Sequence, residues 1–139
     1  MKFLLDTMVV SEPTKRIKDA RVMRWLTEHD AECAISILTL GEVERGIVNM
    51  AASNRKDVLV EWFASFTDKM EARGRILPVD RPLMSFWGPV YTREMQLTKR
   101  KPPFLDTLLA ATAEMNGLTM VTRNEKDFPA SLAVINPWR

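Results

Sequence analysis

The chain has 139 residues, of which 46% are hydrophobic and 27% charged, and its formal net charge is +2. This composition is that of one ordinary globular domain, which we predict to span residues 1–139. No apolar run reaches the roughly 18 residues that cross a bilayer, and Asp6 interrupts the first run before a signal-peptide core could form. We therefore expect a cytoplasmic protein without membrane contact. One cysteine, Cys33, and one histidine, His29, argue against disulfides and against cysteine- or histidine-based metal sites.

The first predicted element is a buried strand from Lys2 to Asp6. Asp6 interrupts an apolar run that resumes at Met8. A buried, unpaired carboxylate costs several kcal/mol. Asp6 must therefore face a cation, a set of hydrogen bonds or a metal ion.

A helix capped by Asp19 and a short strand from Glu32 to Ser36 come next, and a second helix follows Thr39. Thr39 and Glu42 match the S/T-x-x-E capping box, in which the glutamate bonds back to the first residue of the box. Two interpretations of Glu42 therefore stand side by side. Its carboxylate is either a helix cap or part of a functional site.

The middle of the chain predicts a long helix, an edge strand and another helix. Asn54 is a candidate cap for a helix that runs to Met70, and Pro78 places the strand Ile76–Val79 at an edge of the sheet. Asp80 caps the next helix, and Gly88-Pro89 is expected to disturb it. The apolar side of that helix is predicted to comprise Leu83, Phe86, Trp87, Val90, Tyr91 and Met95.

The last third begins with a basic, proline-rich loop that contains Lys99-Arg100-Lys101, which could equally be a solvated loop. A helix rich in small residues follows, with Asp106 in its first turn, where the helix dipole favours a carboxylate. Strands are predicted at Leu118–Thr122 and Leu132–Ile135, with a polar turn from Arg123 to Phe128 between them.

Short apolar strands that alternate with amphipathic helices predict an α/β fold with a mostly parallel sheet of four to five strands, covered on both faces. Functional groups collect beyond the carboxyl ends of such strands. If the first, second and fourth strands are neighbours, Asp6, Glu42 and Asp106 meet in one cleft with Asn124 or Asp127. Oxygen ligands without cysteine or histidine suit Mg²⁺ or Mn²⁺, which support phosphoryl-ester chemistry.

Three segments carry a family resemblance: LLDTMVVSE, ISILTLGEVERGI and PFLDTLLAATAEMNGLTMVTRNEKDF. With these the chain resembles the PIN-domain ribonucleases of the VapC/FitB-like type, the toxins of prokaryotic toxin–antitoxin pairs. The resemblance implies a PIN-like α/β/α sandwich and a Mg²⁺-dependent endoribonuclease that a cognate, VapB-like antitoxin neutralises. It also implies a homodimer or a dimer of toxin–antitoxin pairs, and Asp6, Glu42 and Asp106 as the catalytic metal ligands.

The chain departs from the family pattern twice. Asn124 stands where the family often has a fourth acid, with Asp127 three residues on, and Met8 stands where an asparagine is usual. Thr7 and Thr122 are expected to be hydroxyl donors in the site.

The resemblance also makes basic residues candidate contacts to RNA phosphates. These are Arg123, Lys99, Arg100 and Lys101.

Three alternatives to an active nuclease remain. The first is a catalytically weakened PIN domain that acts through binding of antitoxin or nucleic acid. The second is a receiver-like domain phosphorylated on Asp80, although such a domain needs two adjacent acids where only Asp6 is present. The third, a haloacid-dehalogenase-like phosphatase, needs a second aspartate at the position of Met8.

Overall fold

The structure, a computed structural model, describes all 139 residues. The five strands are β1 (Phe3–Leu5), β2 (Cys33–Ser36), β3 (Ile76–Leu77), β4 (Thr119–Val121) and β5 (Val134–Ile135). The six α-helices are α1 (Thr7–Ser11), α2 (Ala20–His29), α3 (Ile37–Val48), α4 (Asn54–Ala72), α5 (Arg81–Thr98) and α6 (Phe104–Met115). None of these helices combines the length and apolar character that crossing a bilayer requires.

The strands form one sheet in the order β3-β2-β1-β4-β5, and every neighbouring pair is parallel. The predicted α/β fold is therefore confirmed. The central strand β1 lies between β2 and β4, with Leu4 opposite Ala34 on one side and Met120 on the other. This order brings the carboxyl ends of the first, second and fourth strands together. The strand that contains Ile76 lies at an edge, as Pro78 indicated.

Two apolar layers cover the sheet, because successive strand residues point to opposite faces. Leu5 of β1 packs in a cluster with side chains from α1 to α4, whereas the adjacent Leu4 packs against α6. Helix α5 in turn packs on α6, where Leu83 and Val90 contact Ala111. The result is a helix–sheet–helix sandwich whose polar edge lies beyond the strand ends.

The starts of three helices differ from the predictions. Residues 7–11 form helix α1, because the backbone carbonyl of Asp6 accepts hydrogen bonds from the N–H groups of Val9 and Val10. Three apolar residues are too few to show helical periodicity, so the pattern does not predict this turn. The cap of α4 is Ser53 rather than Asn54, because the Ser53 hydroxyl accepts from the Lys56 N–H at 3.1 Å.

The capping box at Thr39 is wrong. The cap of helix α3 lies three residues earlier, where the Ser36 hydroxyl accepts a hydrogen bond from the Leu38 N–H at 3.0 Å. Thr39 is buried within the helix, and its hydroxyl has no hydrogen-bond partner. Glu42 is consequently not needed as a cap. In contrast, the predicted caps Asp19 and Asp80 are confirmed, since each side chain accepts a hydrogen bond from the first turn of its helix.

Helix α5 continues through Gly88-Pro89, where a disturbance was predicted. The packing of Leu83 and Val90 against α6 stabilises the helix on both sides of Pro89, which outweighs the backbone hydrogen bond that proline removes. The predicted apolar side is also wrong at two positions. Phe86 is 37% exposed and Met95 is 38% exposed, whereas Glu94 is buried, with 8% exposed.

Candidate active site

Asp6 lies at the carboxyl end of β1, and two hydrogen bonds fix its side chain. Its Oδ1 accepts the Thr7 N–H at 2.8 Å, and its Oδ2 accepts the Thr122 hydroxyl at 2.7 Å. Thr122 directly follows β4, so this hydrogen bond joins the ends of two adjacent strands. Its hydroxyl also accepts the Asn124 N–H at 3.0 Å. The carboxylate of Asp6 is thus oriented by hydrogen bonds, and no lysine or arginine of the protein pairs with it.

Glu42 faces the same place from the second turn of α3. Its Oε1 accepts the Thr7 hydroxyl at 3.0 Å. The threonine therefore links the two carboxylates, since its N–H binds Asp6 and its hydroxyl binds Glu42. The expected donor roles of Thr7 and Thr122 agree with these contacts.

Asp106 lies in the first turn of α6, where no side chain caps the helix. Burial raises the pKa of this carboxyl to about 6, and the negative charges of Asp127, Asp6 and Glu42 add to the effect. The three acids can raise the pKa of Asp106 only if all four carboxyl groups lie in one region. The three predicted acids are therefore brought together, and Asp127 joins them.

Asp127 and Asn124 were both candidates for the fourth position. Asp127 ends a short 3₁₀ turn, Glu125–Asp127, and is the strongest of the three charges that raise the Asp106 pKa. The Asn124 side chain instead donates to the Met8 sulfur at 3.4 Å. The two positions at which the chain departs from the family pattern thus contact each other, and the fourth negative charge comes from Asp127.

The donor set fits a hard divalent cation, because only carboxylate and hydroxyl oxygens converge here. No three acidic side chains lie close enough together to form a closed metal site. The negative charges of the neighbouring carboxylates add to burial in raising the pKa of Asp106. A cation between the carboxylates would reduce this repulsion.

The basic residues that were predicted to contact RNA lie in different places. Arg123 stacks on the Trp138 ring, with its guanidinium carbon 5.3 Å from the ring centroid. Arg100 and Lys101 instead line a cavity of about 350 Å³ that also includes Asp127. Lys99, the first residue of this basic run, follows α5 as its C-cap with a left-handed backbone (φ 60°) and does not line that cavity.

The sequence analysis missed Glu94, which lies in the wall of this cavity. A signal was present, because Glu94 follows Val90 by four residues and Trp87 by seven, a spacing that places it on the apolar side of α5. An acid at such a position is unusual in a buried helix face. The apolar residue Met95, one position later, was assigned to this side of the helix in place of Glu94.

Asp80, the residue on which the receiver-like alternative depends, lies elsewhere. It follows the edge strand β3, which β2 separates from β1. Its carboxylate accepts the Leu83 N–H at 3.0 Å as a helix cap. The structure does not bring Asp80 into the carboxylate cluster.

Comparison with known proteins agrees with this geometry. The PIN domain family model matches residues 3–130. Toxin FitB of Neisseria gonorrhoeae is 35% identical over 138 residues, which cover 97% of each chain. VapC ribonuclease Y4jK of Sinorhizobium fredii is 28% identical over 143 residues, with 97% of this chain and 96% of that protein covered.

A solved structure of FitAB bound to an IR36 DNA fragment has the same fold. Its TM-score is 0.88 at 32% identity, and the match covers 99% of this chain and 96% of that chain. Family model, sequence identity and fold agree over nearly the whole length. The chain belongs to the PIN-domain family.

Proposed function

We propose that this protein is a metal-dependent endoribonuclease and the toxin of a toxin–antitoxin pair. The observation that carries the proposal is the convergence of Asp127, Asp6 and Glu42 on Asp106, which contributes to raising its pKa to about 6. Perturbed acids at the carboxyl ends of parallel strands are typical of functional sites. The name of the relative VapC ribonuclease Y4jK supports RNA as the substrate.

Asp6, Asp106 and Glu42 would hold Mg²⁺, with Mn²⁺ as the alternative. Such an ion, when bound, lowers the pKa of a coordinated water and neutralises charge on a phosphodiester. The protein contributes the orientation of its carboxylates. Thr7 and Thr122 hold Asp6 in place, and the Thr7 hydroxyl holds Glu42 at 3.0 Å.

Basic side chains beside the cluster would position the RNA backbone. Arg100 and Lys101 are exposed and line a cavity that shares Asp127 with the carboxylates. Cations at such a place attract phosphates independently of sequence. Arg123 also follows the site residue Thr122, although its guanidinium stacks on Trp138.

We infer a cognate antitoxin as the physiological partner. The similar FitAB structure pairs FitB with FitA and binds DNA. By this likeness the protein would form a homodimer, or a dimer of toxin–antitoxin pairs, in the cytoplasm. Purification with the product of a neighbouring antitoxin gene, followed by measurement of the mass of the complex, tests this assembly.

The nuclease proposal is tested by an RNA cleavage assay with Mg²⁺, with Mn²⁺ and with EDTA. We expect the wild type to cleave only with a divalent ion and Asp6→Asn to lose at least about a hundredfold in rate. Asp68→Asn, on the exposed side of α4, is the matched control and should cleave normally. Equal cleavage by Asp6→Asn and the wild type would remove Asp6 from the site.

A second function is favoured by one observation. Met8 and Asn124, the two departures from the family pattern, contact each other within the site. If they weaken catalysis, the protein would act through binding of its antitoxin or nucleic acid. Metal-dependent RNA binding without cleavage in the same assay would identify this case.

A further inference from the structure

A cavity of about 350 Å³ lies directly beside the carboxylate cluster. It is bounded by the end of α5, the loop 100–103 and the segment 126–129. Asp127 belongs to both the cavity and the cluster, and Thr107, the neighbour of Asp106, also lines the wall. Its volume lies within the range of small-ligand sites. Any group in this cavity would therefore adjoin the reacting phosphate of an RNA substrate.

Glu94 lines the cavity and is one of the few buried carboxylates of the protein. Its side chain is 10% exposed, and the Thr98 hydroxyl donates to its backbone carbonyl rather than to its carboxylate. Its Oε2 forms an ion pair with the Arg93 Nε at 3.7 Å, while the Arg93 guanidinium also binds Glu114 at 2.7 Å. No donor of the protein forms a hydrogen bond with its Oε1, and each carboxylate oxygen can accept two. Glu94 therefore has acceptor capacity for N–H donors of an occupant.

Basic side chains also line the cavity. Arg100, Lys101 and Lys126 are exposed and form no ion pair within the protein. The wall further includes the rings of Pro102 and Pro103. An occupant that fits all three features has anionic groups for the cations, an apolar face for the proline rings and N–H donors for Glu94. A nucleotide with an amino-bearing base meets this description.

We propose that the cavity binds a nucleotide next to the scissile phosphate of the RNA, with Glu94 accepting hydrogen bonds from the amino group of its base. Cytosine, which presents the N4 amino group, fits this acceptor, whereas uracil presents the O4 carbonyl oxygen there and is repelled. The cations contact the flanking phosphates and contribute no base preference. This inference rests on the proposed ribonuclease function, and it names Glu94 as the residue that determines base preference.

Binding of fluorescein-labelled RNA tetranucleotides in EDTA tests the proposal without cleavage. The tetranucleotides form pairs that differ only by cytosine or uracil at one position, and fluorescence anisotropy gives each Kd. At one position the wild type should bind cytosine at least about tenfold more tightly than uracil. Glu94→Gln should bind both alike, because a glutamine amide can rotate to donate to the uracil carbonyl.

The matched control is Glu61→Gln, an equivalent change on an exposed position of α4, which should keep the wild-type preference. Thermal unfolding of Glu94→Gln establishes that the variant is folded at the assay temperature. No preference in the wild type, or the same preference in Glu94→Gln, would overturn the proposal. Loss of antitoxin binding in Glu94→Gln with an unchanged RNA preference would show instead that the cavity docks a protein.

The same tetranucleotides, incubated with Mg²⁺, separate this proposal from the nuclease proposal. A cytosine preference that depends on Glu94 in RNA that is never cleaved would leave the nucleotide site standing and refute the nuclease. If the wild type cleaves with a base preference that Glu94→Gln does not change, the nuclease proposal stands and the nucleotide site is refuted. Cleavage whose preferred position shifts in Glu94→Gln but not in Glu61→Gln supports both.

Discussion

Replacement of Asp106 by asparagine should stabilise the metal-free protein at neutral pH. Burial, with the charges of Asp127, Asp6 and Glu42, raises the pKa of Asp106 from 3.8 to about 6. The folded state therefore binds more protons than the unfolded state between these two values. Its stability falls as the pH rises from about 4 to about 6, because folding then places a charge in a repulsive site. A neutral asparagine avoids that cost.

The size of the effect follows from the same two pKa values. The interval from 3.8 to about 6 corresponds to about 3 kcal/mol in the limit of no screening. Asp106 is only partly buried, so solvent screening reduces the expected gain to about 1 kcal/mol. For a domain of this size that gain raises Tm by about 3 °C. At pH 4.5 the folded carboxyl is mostly protonated, and only about a third of the gain remains.

The assay is thermal unfolding in EDTA at pH 7.5 and at pH 4.5. Asp68→Asn serves as the control, because it removes one negative charge from an exposed part of α4 far along the chain from the cluster. A lower Tm for Asp106→Asn at pH 7.5, or a gain of equal size at both pH values, would refute the reasoning. In the first case the carboxylate is satisfied by contacts that asparagine loses, and in the second the gain is unrelated to its charge.

Four further predictions concern single side chains. Asn124→Asp should tighten Mg²⁺ binding about tenfold if this position faces the ion, and an unchanged isothermal titration would exclude it. Thr7→Val removes the hydroxyl that holds Glu42 and should lower kcat at least about tenfold with little change in KM. Lys101→Ala should reduce the salt dependence of RNA binding by about one phosphate contact, whereas Lys99→Ala should not. The Cys33 thiol, whose pKa burial raises to about 12, should react with thiol reagents at pH 8 only after unfolding.

The layered fold could be predicted because its signals are local and consistent. Each strand is a short apolar run bounded by polar residues, and the parallel arrangement follows from the helices between the runs. Helix starts were predicted where one residue alone could serve as a cap, as at Asp19 and Asp80. They were not predicted correctly near Ser36 and Ser53, where a second eligible residue stood one to three positions later. The choice between such neighbours depends on where the preceding strand or loop ends in space.

The site was predictable in its three main acids and less so in its surroundings. Asp6 and Asp106 are signalled by an acid at a strand end and an acid in the first turn of a helix, both of which need only local pattern. The choice between Asn124 and Asp127 depends on how the 3₁₀ turn Glu125–Asp127 directs its side chains. Its spacing from Val90 places Glu94 on the apolar side of α5, but its position in the cavity wall depends on the loop 100–103 and the segment 126–129. No local pattern specifies that arrangement.

The contact between Met8 and Asn124 makes the two departures from the family pattern physically consistent. The Asn124 amide donates to the Met8 sulfur, a weak acceptor that offers no compensation for a negative charge. An aspartate at position 124 would face this thioether and add to the charges that already raise the pKa of Asp106. With asparagine there, the charge beside Asp106 is supplied by Asp127, which is exposed to solvent. The cluster thus keeps four carboxylates while it moves one of them toward the cavity that Glu94 lines.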